Sequence, residues 1–436
     1  MRIMKTGSGQ SFILAGLLCA SLPLVAACGG ADDQAAERAG VTAFEGARLI
    51  VGDESAPIEN ATFLVRDGQI TQVGSTGDVE VPEGATVVDL TGQTVMPGIV
   101  DTHTHLRTDA RETLIEDLQR RAYYGVVATA SLGREVGDVP YQIREEAGPN
   151  ASRFRLAGRG ITGPEPGRSD VPFWVETEAE ARQAIQELAE LNVDIVKIWV
   201  DDRNGMYTKL SPELYGAILD EAHMNGLRVT AHIFTLEDAK GLLRAGLDAF
   251  AHGVRDRDID EEVVALFQER PNVVLVPNLP NRGVATDVSW VSDTVPAGML
   301  EKLQAAAIDQ PEAQEAFGIQ ARNLAKLSAA GVVIGLGTDG NTPYGAHLEM
   351  EDMVAAGMSP QQVIVAATRN SADLLRLTDL GTVEAGKSAD FVVLDANPLD
   401  DITNTRSINA VYMRGTAVDR AGLRAGWAGG AAGGGE

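Results

Sequence analysis

Several apolar runs of this chain end on side chains that bind metal ions. The run 97–100 leads into His103 and His105, which stand two positions apart. Residues two apart on a strand point the same way, so both imidazoles leave one face at the C-terminal end of the strand. Two neutral imidazoles placed in this way form half of a site for a divalent metal such as zinc. The other ligands must come from distant parts of the chain.

Three further apolar runs supply suitable ligands. Two of them end on histidines and one ends on an acid, and the residues at their ends are His232, His252 and Asp339. A single histidine at a strand end is often a hydrogen-bonded structural residue. Ligand-type side chains that recur at separate strand ends favour a metal site over that alternative.

Lys197 lies inside the run 193–200, which is otherwise almost wholly apolar. An ammonium group is rarely buried without a partner. Lys197 therefore loses its proton, pairs with an acid such as Asp201 or Asp202, or is chemically modified. The residues alone leave these alternatives open.

Strand-like and helix-like runs alternate between residues 97 and 380. The eight strand-like runs are 97–105, 126–130, 154–157, 193–200, 227–232, 248–252, 273–277 and 332–339. Intervening segments such as 176–191 and 212–224 have helical periodicity. This pattern predicts an α/β fold with a (β/α)8 TIM barrel over 97–380, with its candidate ligands at the C-terminal ends of the strands.

Two β-rich segments flank the predicted barrel. Residues 41–96 alternate apolar and polar positions and contain a hairpin signal at Asp67-Gly68. Residues 381–420 contain two more strand-like runs, 389–394 and 408–413. Because each segment is short, we expect both to form one small β-sandwich domain from the two chain ends.

The first residues have the pattern of a targeting segment. Arg2 and Lys5 precede an apolar stretch that reaches Ala27, as in a secretory signal. The run Leu-Val-Ala-Ala-Cys-Gly at 24–29 resembles the lipobox of bacterial lipoproteins, which implies a signal peptide over 1–27 and lipid modification of Cys28. Ordinary signal cleavage is the alternative. We expect residues 28–40 to be a polar tether and residues 425–436 to be a flexible tail.

The net charge limits the partners. The chain carries −26, and loss of residues 1–27 removes two cations and no acid, which gives −28. Such a surface repels nucleic acid and anionic headgroups. We expect a small-molecule substrate, no nucleic acid, and attachment to a membrane by the lipid on Cys28. The expected location is the periplasmic side of a bacterial envelope, on the outer membrane if the cell is Gram-negative. The sequence leaves homo-oligomerisation open.

The strand-end residues resemble the amidohydrolase superfamily in its binuclear form with a carboxylated lysine. That family has His-x-His after strand 1, the lysine on strand 4, histidines on strands 5 and 6, and an aspartate on strand 8. In this order the chain has His103, His105, Lys197, His232, His252 and Asp339. The resemblance extends over about residues 41–418 and is closest to prolidase-like and imidazolonepropionase-like members.

The resemblance implies two divalent metal ions, with zinc the first choice. One ion would be held by His103, His105 and Asp339, the second by His232 and His252, and a carbamate on Lys197 would bridge both. A hydroxide shared by the ions would attack a carbonyl carbon, and Asp339 would carry its proton to the departing amine.

The implied activity is hydrolysis of an amide bond in a dipeptide or an N-acyl amino acid. A carbamate, lactone or other ester is the second choice, and a mononuclear deaminase or an inactive ligand-binding lipoprotein are further alternatives. For substrate contacts, the sequence suggests Arg159 after strand 3 and Tyr344 or His347 after strand 8. Arg159 has a surface salt bridge as its alternative role. The residues 233–235 lack the tyrosine or histidine that such relatives often have there.

Overall fold

The structure, a computed structural model, describes residues 40–146, 148 and 150–430. The predicted signal peptide, Cys28 and all of the tether except Gly40 lie outside the described residues, as do tail residues 431–436. In the part of the chain that is described, no helix combines the length and the apolar character needed to cross a membrane.

Strands and helices alternate along most of the described chain. The strands are β1 (Thr42–Leu49), β2 (Ile58–Arg66), β3 (Gln69–Ser75), β4 (Thr86–Asp89), β5 (Thr94–Pro97), β6 (Ile99–Thr104), β7 (Val126–Ser131), β8 (Arg153–Leu156), β9 (Ile161–Thr162), β10 (Phe173–Trp174), β11 (Val196–Val200), β12 (Val229–Ile233), β13 (Ala249–Phe250), β14 (Val274–Leu275), β15 (Val333–Ile334), β16 (Phe391–Leu394), β17 (Ile408–Met413) and β18 (Thr416–Ala417). The α-helices are Arg111–Tyr123, Val139–Glu145, Glu178–Glu190, Pro212–Met224, Leu236–Ala245, Glu261–Gln268, Ala297–Ala306, Pro311–Ala329, Gly345–Ala355, Pro360–Val365, Ser371–Leu374 and Arg420–Gly430. A π-helical turn at Ala366–Asn370 and 3-10 turns at Ser289–Val291 and Ile402–Arg406 complete the set.

The eight strand-like runs of the sequence are all strands, and they lie in two parallel sheets. One sheet has the order β6-β7-β8, and the other has the order β10-β9-β11-β12-β13-β14-β15. Hydrogen bonds join the sheets at two places, just after β15 and just before β11. The backbone N–H and the hydroxyl of Thr102 both donate to Leu336 O at 2.9 and 2.7 Å, and Asp194 N donates to Leu156 O at 3.0 Å.

The helix Glu178–Glu190 shows why the intervening segments are helical. Its buried residues are spaced three or four apart, which places them on one face: Ala181, Ala184, Ile185 and Leu188. The helix begins at a capping box, in which Thr177 Oγ1 accepts from Glu180 N and the Glu180 carboxylate accepts from Thr177 N. The apolar face packs in the same core as the parallel strands.

The two chain ends share one eight-stranded sheet. Strand β16, from the C-terminal segment, pairs antiparallel with β5 from the N-terminal segment, and the order is β18-β17-β16-β5-β1-β2-β3 with β4 paired to β1. The rings of Phe44 on β1 and Phe391 on β16 are 5.1 Å apart. In a flat sheet with this register they would be roughly 20 Å apart along the strands. The sheet must therefore curl, and its aromatic side chains pack inside the curl.

The predicted flexible tail needs a correction. Residues 425–430 continue the helix Arg420–Gly430 rather than extending freely. The ring of Trp427 lies 5.6 Å from that of Tyr123, and the Arg120 guanidinium lies 4.4 Å from the Trp427 ring centre. Trp427 holds this segment of small residues in place, because its ring buries apolar surface against the helix Arg111–Tyr123.

Phe391 tests the packing that joins the chain ends. It is fully buried and contacts Phe44, Phe63 and Tyr412. We expect Phe391→Ala to lower the free energy of unfolding by about 3 to 5 kcal/mol, measured by urea denaturation. Val87→Ala, on the 53% exposed Val87 of β4, is the control and should change it by less than about 0.5 kcal/mol. An equal effect of the two changes would contradict the packing.

Candidate metal centre

The first and last of the eight parallel strands are joined where the ligands lie. After β15 the chain runs beside β6, and the backbone N–H groups of Thr338 and Asp339 both donate to His103 O, at 3.0 and 2.8 Å. The carboxylate of the buried Asp101 accepts from His103 N, Thr338 N and Thr338 Oγ1. These bonds hold Asp339 next to the two histidines of β6, although the residues are far apart in sequence.

Gly337 is needed for this close approach. A Cβ atom at this position would lie 2.7 Å from His103 Cβ and 2.8 Å from Asn278 Nδ2, which is closer than side-chain atoms pack. A larger residue would push the loop after β15 away from β6. The glycine in the run Gly337-Thr338-Asp339 therefore helps to position the Asp339 carboxylate.

Three histidines face the carboxylate of Asp339. His105 Nε2 lies 3.0 Å and His103 Nε2 3.3 Å from Asp339 Oδ1, and His252 Nε2 lies 3.5 Å from Oδ2. Within the described residues, His103, His105 and Asp339 form a set of ligand atoms all within 4.8 Å of one another. Atoms bound to one tetrahedral zinc at about 2.1 Å lie about 3.4 Å apart, so these spacings suit a shared metal ion.

The protonation of His103 also suits a cation. Its Nδ1 lies 2.9 Å from Asn278 Oδ1 and 3.2 Å from Ala251 O, and both oxygens only accept, so Nδ1 carries the proton. Burial, with the nearby Lys197, holds the pKa of His103 well below its usual value, so the ring is neutral. The lone pair of Nε2 then faces a carboxylate oxygen of Asp339. A metal ion between them would turn this repulsion into two bonds.

Asp339 stays ionised despite its surroundings. Burial acts to raise its pKa, but the hydrogen bond from His105 and the nearby Lys197 outweigh this and lower the pKa. An ionised carboxylate is both a metal ligand and a proton acceptor.

Lys197 is buried beside these ligands without an acidic partner. Its Nζ lies 3.1 Å from His103 Nε2 and 5.5 Å from the centre of the Trp199 ring. Among the described residues no carboxylate lies within ion-pair distance of Nζ. Asp201, one of the partners that the sequence suggested, instead binds Arg203 and His232. Burial lowers the pKa of Lys197 to about 7, so its neutral form is accessible near neutral pH.

His232 is held in a defined orientation by Asp201. Its Nε2 lies 2.9 Å from Asp201 Oδ2, and Arg203 Nη1 donates to the same oxygen at 2.6 Å. Because a carboxylate only accepts, Nε2 carries the proton and Nδ1 keeps the lone pair that can bind a metal. The His232 and His252 rings are 4.6 Å apart between their centres. Burial lowers the pKa of His232 to about 4, which keeps the ring neutral.

A cavity of about 440 Å³ opens over these ligands. It is lined by His105, His232 and Asp339, by Trp199, and by three arginines: Arg134, Arg168 and Arg203. A second cavity, of about 360 Å³, shares Gly340 with the first and has an apolar wall that includes Leu279, Leu303, Ile308 and Leu348.

The side chains suggested for substrate binding lie elsewhere. Both ring nitrogens of the buried His347 are engaged, Nδ1 with Thr405 Oγ1 and Nε2 with Tyr124 O. Tyr344 packs against the rings of Tyr124 and Trp290. These two contact assignments are corrected to structural roles, because each side chain is buried against segments that are distant in sequence.

Arg159 also differs from its assignment. Its guanidinium donates to Val171 O and Pro172 O and lies 4.0 Å from the centre of the Phe173 ring. It does not line the cavity over the metal ligands. Its contacts fix the loop that precedes β10 and satisfy some of its N–H donors with uncharged acceptors.

Sequence reasoning missed the residues that support the ligands. Asn278 follows the seventh strand directly, so its position at a strand end was a usable signal. Asp201 was considered only as a partner for Lys197. Arg134 and Arg203 gave no signal, because nothing local distinguishes them from other surface arginines.

Comparisons with known proteins identify the family of the chain. The sequence model of the amidohydrolase family matches residues 155–418. An imidazolonepropionase from Geobacillus sp. (strain WCH70) is 27% identical over 372 residues, which cover 78% of this chain and 84% of that protein.

Solved structures share the fold. A Bifidobacterium longum protein assigned as a prolidase is 28% identical with a TM-score of 0.72, over 89% of this chain and 99% of that one. Molinate hydrolase is 24% identical with a TM-score of 0.72, over 88% and 96% of the two chains. At 24% identity the second likeness concerns the fold alone.

Asp201 should tune metal binding through His232. We expect Asp201→Ala to weaken the affinity for Zn²⁺ by about 10- to 100-fold, because His232 loses the acceptor that fixes its orientation and tautomer. Competition with a chelator measures this. Asp202→Ala is the matched control, since the Asp202 carboxylate accepts from Gly205 N in its own turn. Equal affinities in the two variants would contradict this role.

Because Lys197 is buried, the stability of the metal-free chain should depend on pH. Its pKa is about 7 when folded and 10.5 ordinarily. Between these values the unfolded chain binds more protons, so the free energy of unfolding should rise with pH from about 7 to about 10. Lys197→Met removes this titration. Urea denaturation of both proteins in CO2-free buffer should show their difference in stability changing across this range, and a constant difference would refute a buried neutral lysine.

Proposed function

We propose a specific activity for this chain on the ground that it belongs to the amidohydrolase family. The activity is hydrolysis of an amide bond in a dipeptide or an N-acyl amino acid, at two divalent metal ions, with Zn²⁺ the first choice. The observation that carries the proposal is the convergence of His103, His105 and His252 on the ionised Asp339 at a cavity of small-molecule size.

In this proposal His103, His105 and Asp339 would hold one ion, His232 and His252 would hold the second, and a carbamate on Lys197 would supply oxygen ligands to both. A carbamate forms when a neutral amine adds to CO2, and the lowered pKa of Lys197 supports this by supplying the neutral amine. When bound, the ions would activate a water molecule and polarise the carbonyl group of the substrate.

Asp339 is the proposed proton carrier. Its carboxylate is ionised, lines the cavity, and is fixed by the bond from its own N–H to His103 O. It would accept a proton from the attacking water and deliver it to the nitrogen of the departing amine. The amide C–N bond breaks in that step, and the products are a carboxylic acid and an amine.

The fold that we propose for this activity is a closed (β/α)8 barrel with a small β-sandwich. The bonds of Thr102 to Leu336 and of Asp194 to Leu156 support closure of the eight parallel strands. The curl of the sheet made from the chain ends supports the sandwich. The substrate cavity lies at the carboxyl ends of the strands, as expected for a barrel enzyme.

We also propose that the protein is exported and held to the bacterial envelope by a lipid on Cys28. The support is the run Leu-Val-Ala-Ala-Cys-Gly at 24–29, which resembles a lipobox and lies outside the described residues. Mass spectrometry of the membrane-extracted protein would show acylated Cys28 as the N-terminal residue, and an unmodified N-terminus would contradict the proposal.

A mononuclear deaminase is the second candidate. Its support is that, among the described residues, the set of ligand atoms within 4.8 Å consists of His103, His105 and Asp339 alone. Lys197 argues against it, because a single metal leaves a buried lysine without a function.

Metal content and product analysis test the proposal together. We expect about two metal ions per chain in the full-length protein, fewer in Lys197→Ala, and release of an amine from a library of dipeptides and N-acyl amino acids. Lys209→Ala, whose lysine pairs with Asp238, is the control and should keep both ions. One ion per chain that is unaffected by Lys197→Ala, with release of ammonia from heterocycles, would replace the proposal by the deaminase.

Asp339→Asn should reduce kcat by about 100-fold or more, because the amide cannot carry the proton. Metal analysis of this variant separates loss of the proton carrier from loss of a ligand.

A further inference from the structure

We propose that Arg134 binds the carboxylate group of the substrate and makes the enzyme selective for acids. This inference rests on the proposed function, because it assigns a recognition residue to the same cavity. Arg134 follows β7 and lines the cavity together with His105 and Asp339. A small molecule whose scissile bond lies at these ligands can therefore reach Arg134 with another of its groups.

The charges of the cavity single out Arg134 among its three arginines. Arg168 and Arg203 both pair with Glu165, at 3.1 Å each, and Arg203 also pairs with Asp201. Within residues 40–146, 148 and 150–430, Arg134 has no ion pair and no side-chain hydrogen bond. Of the three guanidinium groups, that of Arg134 alone has no acidic partner among the described residues.

A second arginine adds to the positive charge at this position. Arg134 and Arg159 lie directly opposite each other in an antiparallel bridge. Like charges in that arrangement repel. The Arg159 guanidinium is drawn away to Val171 O and Pro172 O, which are uncharged acceptors, so its charge is not neutralised there. An anion at Arg134 would relieve the repulsion.

The backbone presents Arg134 from a fixed loop. The buried Glu135 accepts from Ser131 Oγ, Gly133 N and Arg134 N. Glu135 N donates to Gly158 O, and Gly160 N donates to Gly133 O. These bonds tie the loop after β7 to the loop after β8. Binding a ligand then orders mainly the Arg134 side chain, which keeps the entropic cost small.

The ligand chemistry follows from the guanidinium. A planar fork of N–H donors matches a carboxylate with two parallel hydrogen bonds, and such charge-assisted pairs are the strong ones. A carboxamide of the same shape lacks the charge and offers one acceptor oxygen. We therefore expect Arg134 to make the site bind a free acid more tightly than the corresponding amide.

The experiment compares an acid with its amide on the Zn²⁺-loaded full-length chain. The probes are N-acetyl-L-leucine and N-acetyl-L-leucinamide, whose apolar side chain suits the neighbouring apolar cavity. Binding is followed by rapid-mixing tryptophan fluorescence before turnover, since Trp199 lines the cavity. The variants are Arg134→Ala and Arg134→Lys, with Arg322→Ala, on an exposed arginine paired with Asp258, as the matched control.

We expect the wild-type chain to bind the acid more tightly than the amide. Arg134→Ala should weaken binding of the acid by about 10- to 100-fold and change binding of the amide by less than about twofold. Arg134→Lys should retain part of the preference, since it keeps the charge but loses the fork. For acids that are hydrolysed, KM should rise while kcat changes little, because the contact is the same in substrate and transition state.

The inference is overturned if wild type does not prefer the acid, if neither probe binds, or if Arg134→Ala weakens both probes equally. These failures differ from a failure of the proposed function, which appears as no hydrolysis of any library compound. A preference for the acid that depends on Arg134 in a chain without amidase activity would support the recognition role and remove the proposed reaction.

Discussion

The join between the first and the last parallel strand is the constraint on which the site depends. Asp101 and the carbonyl group of His103 accept bonds from the loop that carries Thr338 and Asp339, and Gly337 lets that loop approach closely. Without this join the carboxylate of Asp339, after the last parallel strand, would not lie near His103 and His105, on and after the first. The candidate metal centre therefore depends on how the two sheets meet.

Burial then sets the chemistry of the groups that the join brings together. It lowers the pKa values of His103, His232 and Lys197, the last to about 7, while the hydrogen bond from His105 and the nearby Lys197 keep Asp339 ionised. Lone pairs from several ligands converge on a small volume. The metal ions of the proposed reaction would offset this repulsion, which links the stability of the centre to its occupancy. Asp201 fixes which ring nitrogen of His232 can bind a metal, and Asn278 does the same for His103.

The side chains that meet at the candidate metal centre could be predicted to do so because each signal is local. A polar side chain at the end of an apolar run lies at the carboxyl edge of a parallel strand, whatever the rest of the fold does. The substrate contacts could not be predicted in the same way. His347 follows the eighth strand, yet its partners are Tyr124 and Thr405, which are distant in sequence. Arg159 follows the third strand, yet its guanidinium binds carbonyl groups of its own loop.

The sequence by itself determined the eight alternating strands and helices, the pairing of the chain ends as β-rich segments, and the set of candidate metal ligands. These features are local, because hydrophobic periodicity and strand-end positions can each be seen within a few consecutive residues. Only the tertiary structure decided which arginine faces the cavity uncompensated and which acid orients His232. Both depend on pairing between side chains that the sequence does not place together: Arg168 pairs with Glu165, whereas Arg134 has no ion pair among the described residues.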